Sequence, residues 1–338
     1  MKNFDRKPIL YLLCFVFFWG QTPIVYAQSS PANYPNKPVK LIVPFATGGP
    51  ADIYGRFIAQ KLTEATGQSF VVDNKPGAGS VIGTDLAAKA PADGYTLLLM
   101  SNAQTVNESL IPNKPYNLLR DFVPVAPLNS SDLVLVAHPS LAANNIKELV
   151  VLAKSKPGKL NYASSGPGTP YHMAGELFKA MSGTFIVHVP YRGSTGARTD
   201  LIGGQVDMMF DAVTTMTEQI KAGKVKAIAT SGRTRSSVLP DVPTVGESGG
   251  DKELKGLAGY ESTIWLGIMA PKATPAAVVS QLNAAISKIT SNPDTRALWG
   301  KQGAAPMVMS PDVFAKYAAD DVSKWERIVK ISGAKADN

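Results

Sequence analysis

Residues 39 to 62 read VKLIVPFATGGPADIYGRFIAQKL, and residues 159 to 181 read KLNYASSGPGTPYHMAGELFKAM. Each is an apolar strand, a glycine-rich turn, a proline and an amphipathic helix, so the two are alike in physics rather than in identity. Proline is tolerated best in the first turn of a helix, where its missing N–H has no intrahelical partner in any case. Pro50 and Pro170 therefore mark helix starts. Gly48, Gly49, Gly166 and Gly168 leave the backbone before them bare of side chains, so that first-turn N–H groups can point at a ligand oxygen. A carboxylate is the natural occupant: a helix end favours an anion by roughly 0.3–1 kcal/mol, and each charge-assisted hydrogen bond adds about 1.5–3 kcal/mol. Ordinary strand-to-helix turns also use glycine and an N-cap. The same pattern in two separate halves is what points to a ligand.

Outward from these two stretches, strand-like and helix-like segments alternate in the order that gives parallel sheets flanked by helices. A first lobe is expected from strands at 41–45, 68–74 and 95–101 with helices over 52–65 and 80–89, the last strand ending at Ser101 and Asn102. A second lobe of the same kind takes strands at 132–139, 159–165, 185–191, 206–212 and 224–232, with helices over 146–155, from 171 and over 196–202. After the proline- and glycine-rich stretch 237–250, GYESTIWLGIMAP (259–271) is expected to cross back, and helices over 275–290, 293–300 and 311–331 to complete the first lobe. The expected domains are thus 28–130 with 255–338, and 131–254, with two crossings that act as a hinge. Ligands of open α/β sheets lie beyond the carboxyl ends of strands, and the loops 45–50, 101–102, 164–169 and 210–212 all follow strands, which sends them toward one interlobe cleft.

The first 27 residues read as a cleaved export signal: Lys2, Arg6 and Lys7, the apolar run ILYLLCFVFFWG, and a small-x-small site at Val25-Tyr26-Ala27. The apolar run is too short to span a bilayer of roughly 30 Å, so the expected location is the periplasm. Cys14, the single cysteine, falls in that leader, leaving no disulfide, thiol nucleophile or cysteine metal ligand in the remainder. The chain carries a net charge of +8, and the leader holds three basic residues and one acidic residue, so +6 remains on the other 311 residues. Lysines and arginines are scattered, without a dense run or interleaved aromatics, which excludes nucleic acid as a partner.

Several longer motifs occur in order: YPNKPVKLIVPFATGGPADIYGR, VVDNKPGAGSVIGTDLAAKAPADGYTLL, SSGPGTPYHMAGELFK, VPYRGS, GGQVDMMFDA, LPDVPTVGES and WLGIMAPKATP. Together they resemble the Bug, or tripartite tricarboxylate transporter receptor, family of periplasmic solute-binding proteins over nearly the whole exported chain. The resemblance implies a two-lobed α/β flytrap of type II that catches a small carboxylate, a dicarboxylate or an aromatic carboxylate, between its lobes, without cofactor or metal, as a monomer, and presents it to membrane permease subunits. An extracytoplasmic module that hands its liganded surface to a sensor protein is the alternative. By motif, the resemblance implies ligand contacts from Phe45, Thr47, Gly48, Gly49 and Asp52 in the first loop and from Ser164, Ser165, Gly166, Gly168 and Thr169 in the second. Asp211 matches a position that meets the far end of the ligand, where an acid suits an ammonium, a hydroxyl or an ordered water; its other reading is a helix cap. This chain departs from the family pattern by placing Pro170-Tyr171 before His172, which narrows the pocket, and Ser101-Asn102-Ala103 at the third loop, where Asn102 both donates and accepts.

Enzyme chemistry finds little support. The histidines are His138, His172 and His188, no serine sits in a G-x-S-x-G elbow, and no H-E-x-x-H is present. His172 follows the serines on its helix and reads as a pocket-edge or structural residue. Tyr191-Arg192 offers a bidentate grip on a carboxylate, an interlobe latch or simply a surface arginine. GAGSVIG resembles a dinucleotide loop, but its third glycine falls one place late, and a tight turn before a helix explains Gly77 and Gly79 better.

Overall fold

The computed structural model describes residues 34–336, so the expected signal segment lies outside the described residues. In the first lobe, β1 (Val39–Val43), β2 (Phe70–Asn74) and β3 (Thr96–Ser101) pair in parallel in the order β2-β1-β3. Helices α1 (Pro50–Thr66) and α2 (Val81–Ala88) connect them, and α3 (Asn102–Leu110) and α4 (Leu118–Asp121) follow. Leu41, Val43, Ile58, Leu62 and Leu99 are buried between sheet and helix, and the alternation of apolar residues along β1 together with the apolar stripe of α1 is what places them there.

The strand β4 (Phe122–Ala137) is the backbone of the whole molecule. Its first part, Phe122 to Asp132, pairs antiparallel with β9 (Thr263–Pro271), which itself lies against β3. From Leu133 to Ala137 it pairs instead with β7 (Met208–Ala212) and β8 (Lys226–Thr230) of the second lobe. β5 (Asn161–Ser164) and β6 (Val187–Pro190) extend that half in parallel, with α5 (Ile146–Ser155), α6 (Pro170–Ser182), α7 (Ser194–Ile202) and α8 (Val213–Lys221) around it. The chain therefore passes between lobes inside β4 and again just before β9. Ser231 ties the two passages together: its backbone exchanges hydrogen bonds with Leu133, its N–H to the Leu133 carbonyl at 2.9 Å and its Oγ accepting the Leu133 N–H at 2.8 Å. It also accepts the Ser262 N–H at 3.0 Å, and its hydroxyl donates to the Ser262 carbonyl.

The C-terminal segment returns to the first lobe as α9 (Ala276–Ser291), α10 (Pro293–Lys301), β10 (Ala304–Pro306) paired with β4, and α11 (Pro311–Ser332). Trp265 and Trp325 are buried, and the Trp265 indole donates to Asp321 at 3.1 Å, as expected for a core tryptophan. The two lobes touch through apolar as well as polar groups: Met173 of α6 packs with Val106 and Leu110 of α3 and with Trp325 of α11. The two-lobed α/β expectation holds, with one difference. β4 and β9 run antiparallel to their neighbours, because a strand shared by two lobes has to be met by one returning between them.

Candidate functional site

Between the lobes lies a cavity of about 30 Å³, walled by Phe45, Ala46, Gly49, Pro50 and Ala51 of the β1–α1 loop, Ser101, which ends β3 and caps α3 with its own side chain, and Ile264 of β9. The opposite wall is Ser165, Pro170 and Tyr171 at the start of α6, and Gly193 and Ser194 at the start of α7. Three helices, α1, α6 and α7, thus begin at one small space. The first N–H groups of a helix have no intrahelical acceptor, so each start brings donors and the positive end of its dipole. No side chain in this wall is charged.

The loops that carry these helix starts are held open by their own side chains. The Asp52 carboxylate accepts the Gly48 N–H at 3.1 Å and pairs with Arg56 at 3.0 Å. Burial raises the affinity of Asp52 for a proton, but the bonds from Arg56, Gly48 and Asn74 outweigh it and hold the carboxyl below its usual range. In the second loop the Gly168 N–H donates to His172 Nδ1 at 3.1 Å, Thr169 Oγ1 donates to the Gly166 carbonyl at 2.7 Å, and Ser164 Oγ accepts the Gly166 N–H at 3.1 Å. His172 is buried with its ring stacked 4.1 Å from that of His188, and burial, with His188 and Lys179 adding to it, lowers its pKa to about 2. A neutral ring is what an Nδ1 acceptor requires.

Lobe-to-lobe contacts surround the cavity. Thr195 Oγ1 donates to the Thr47 carbonyl at 2.8 Å and the Tyr54 and Thr214 hydroxyls meet at 3.1 Å, while within the first lobe Asn107 Nδ2 donates to the Gly79 carbonyl at 2.9 Å and so fixes the face that meets Pro167 and Gly168. Gly79 and Gly168 have positive φ and sit where the backbones of the lobes come closest. A Cβ would lie 2.1 Å from the Pro167 carbonyl oxygen at Gly79 and 2.1 Å from Asn107 Oδ1 at Gly168.

Of the residues expected at the site, Phe45, Gly49 and Ser165 line the cavity. Phe45 and Ser165 also line an adjoining groove of about 460 Å³, together with Gly166, Tyr191 and an exposed Arg192. The Tyr191 hydroxyl donates to Asp200 at 2.6 Å. Thr47, Gly48, Asp52, Ser164, Gly168, Thr169 and His172 stand behind the wall and shape it. Asn102 is buried and donates to the Thr263 carbonyl at 2.9 Å, while its neighbour Ser101 faces the cavity. Asp211 is fully buried behind Ser194: Oδ2 lies 3.0 Å from Arg198 Nε, and Oδ1 accepts from the Ala212 N–H at 2.8 Å and Thr215 Oγ1 at 3.2 Å. Burial pushes its carboxyl upward, against the pull of Arg198. Sequence reasoning had not found the α7 end or Arg198. The signal is present in VPYRGS, where Gly193-Ser194 opens a helix as Gly49-Pro50 does.

Compared with known proteins, residues 54–334 match the family described as "Tripartite tricarboxylate transporter family receptor". Protein BugT of Bordetella pertussis is 36% identical over 326 residues, covering 96% of this chain and 98% of BugT. Two Rhodopseudomonas palustris structures are similar throughout. Rpa4515 with adipate has TM-score 0.85 and 31% identity over 89% of this chain and 99% of that one. MatC with bound malate has TM-score 0.81 and 31% identity over 88% of this chain and 100% of that one.

Proposed function

The chain belongs to the tripartite tricarboxylate transporter receptor family, and from that premise we propose that it is a periplasmic receptor which encloses a small organic carboxylate between its lobes and presents it to the permease of such a transporter. The observation that carries this reading is the meeting of three helix N-termini, from both lobes, at a space without a charged side chain. An anion there is stabilised by backbone dipoles in a water-poor setting, where they act more strongly than in solvent. The adipate and malate held by the two similar structures are dicarboxylates, which supports the same ligand class. The leader pattern supports export, and among the described residues no helix is long and apolar enough to cross a membrane.

Because the ligand touches both lobes only when the cleft is shut, it binds the closed form more tightly, and each factor of ten in that preference is about 1.4 kcal/mol of closure. A space of about 30 Å³ holds two or three waters at about 10–15 Å³ each. Entry therefore requires the lobes to part. The hinge is the passage through β4 and the segment before β9, pinned by Ser231. A hydrolytic reading is disfavoured by where serines meet histidines: Ser164 Oγ lies 2.7 Å from His188 Nε2 but is fully buried against Gly166 and outside the cavity wall, and Ser140 Oγ, 2.7 Å from His138 Nδ1, is on an exposed turn that is no part of that wall.

Gly49→Val tests the assignment. A Cβ at Gly49 points at Ser194 Oγ, 3.3 Å away in the other lobe, so added bulk obstructs closure without burdening the fold. Titration calorimetry against a panel of dicarboxylates and their amides is expected to show binding of acids alone, lost in the valine variant while its unfolding midpoint holds. Unchanged affinity removes the first loop from the site.

A further inference from the structure

Tyr171, at the second position of α6, lines the cavity and is only 4% exposed. No hydrogen bond joins its hydroxyl to another described residue, and the oxygen is not sealed off, so the group it can bond is one that occupies the cavity. The acceptors nearby are already engaged. Asp211 takes donors from Arg198, Ala212 and Thr215. Ser101 Oγ accepts the Ala103 N–H at 3.1 Å, and Ser194 Oγ accepts from Arg198 Nη2 at 3.4 Å. These two hydroxyls are left to donate inward, beside the positive ends of three helix dipoles.

We infer that the cavity selects carboxylates that carry no ammonium group, and that the Tyr171 hydroxyl is the donor which reads their oxygen atoms. This rests on the carboxylate-receptor reading and narrows it. An α-ammonium entering this wall meets donors and partial positive charge, and Asp211, the buried acid behind Ser194, already pairs with Arg198 and accepts from Ala212 and Thr215. Burial, reinforced by the Asp211 charge, keeps the phenol protonated far above neutral pH, so it remains a donor at any working pH.

The test is calorimetry of the purified protein with matched pairs, succinate against aspartate and glutarate against glutamate, repeated on Tyr171→Phe. In whichever pair binds, the acid without nitrogen is expected to bind at least about tenfold more tightly. Tyr171→Phe is expected to weaken that binding about tenfold while the unfolding midpoint of the free protein stays level or rises, a split that a packing role does not produce. Aspartate or glutamate binding as tightly as its partner overturns the inference and leaves the receptor reading standing, as does unchanged affinity in Tyr171→Phe. If that variant does not fold, the matched pairs on the unaltered protein decide alone. Failure of every acid to bind overturns both readings.

Discussion

In the first lobe, Gly48 at φ +78° donates its N–H to Asp52, two residues beyond the proline that starts α1; in the second, Gly168 at φ +72° donates to His172, two residues beyond the proline that starts α6. The backbone solution is the same, and the donor-to-acceptor distance is 3.1 Å in both. The chemistry differs. Asp52 is a charged brace paired with the exposed Arg56, placed where a helix dipole favours an anion. His172 is an uncharged brace inside a stack of buried rings, and its glycine is pressed between the lobes against Asn107. One turn is held by local electrostatics, the other by burial and by the opposite lobe. The second turn is therefore the more tightly enclosed of the two.

If that contrast is right, alanine at the two glycines should separate them most. Gly168→Ala places a Cβ 2.1 Å from Asn107 of the other lobe, an overpacking cost of about 1–3 kcal/mol added to a left-handed backbone penalty of about 1–2 kcal/mol. Gly48→Ala bears the backbone penalty but meets only Thr195 Oγ1 at 3.3 Å. Calorimetry should find roughly 100-fold weaker ligand binding for the first and under about tenfold for the second; equal losses would break the comparison.

A smaller effect should appear in stability. His172→Ala empties a stacked, buried site and strands the Gly168 N–H, for about 2–4 kcal/mol. Asp52→Ala, which removes a turn brace whose ion-pair partner Arg56 is exposed, should lose about 1 kcal/mol. Urea denaturation of the two variants measures both, and a larger loss at Asp52 would invert the assignment of burial to the second turn.

The smallest difference is in pH dependence. The folded-state pKa of His172, about 2, is below its unfolded value of about 6.5, so its contribution is whole above 6.5 and is lost progressively as pH falls below it. Asp52 is also lowered, but its contribution is lost only as pH falls below the usual carboxylate range of about 3.9. Between pH 6 and 5 the second brace alone titrates, and His172→Gln should lose about 1 kcal/mol less stability over that interval than the parent protein does. Parallel pH profiles would show that the ring is not held neutral.

Much of the fold was legible because its signals are local. The run Ile146–Ser155 and the helices from Pro293 and Pro311 begin and end within a residue or so of expectation, since caps, prolines and apolar spacing lie within a few residues of one another. The first half of β4 was not anticipated. Pro124 and Pro127 argue against a central strand, and the structure accommodates them at two register shifts that only the partner strand reveals. α3 was missed because its apolar stripe is short, Ala103, Val106 and Leu110, and is interleaved with buried Asn102, Gln104, Thr105 and Asn107. The helix from Val213 was missed too, its threonines being poor helix formers in isolation.

What the sequence determined by itself was where helices start and which turns leave backbone bare, because proline and glycine act on their own φ and N–H whatever lies around them. Only the tertiary structure decided which bare N–H groups were already taken, that a third helix end from α7 joins the first two, that Asp211 is closed off by Arg198, and that Ser101 rather than Asn102 faces the space between the lobes. Those outcomes depend on which side chains meet from far along the chain, as Tyr54 meets Thr214 across 160 positions, and hydrogen-bond partners at that separation are chosen by packing rather than by any spacing along the sequence.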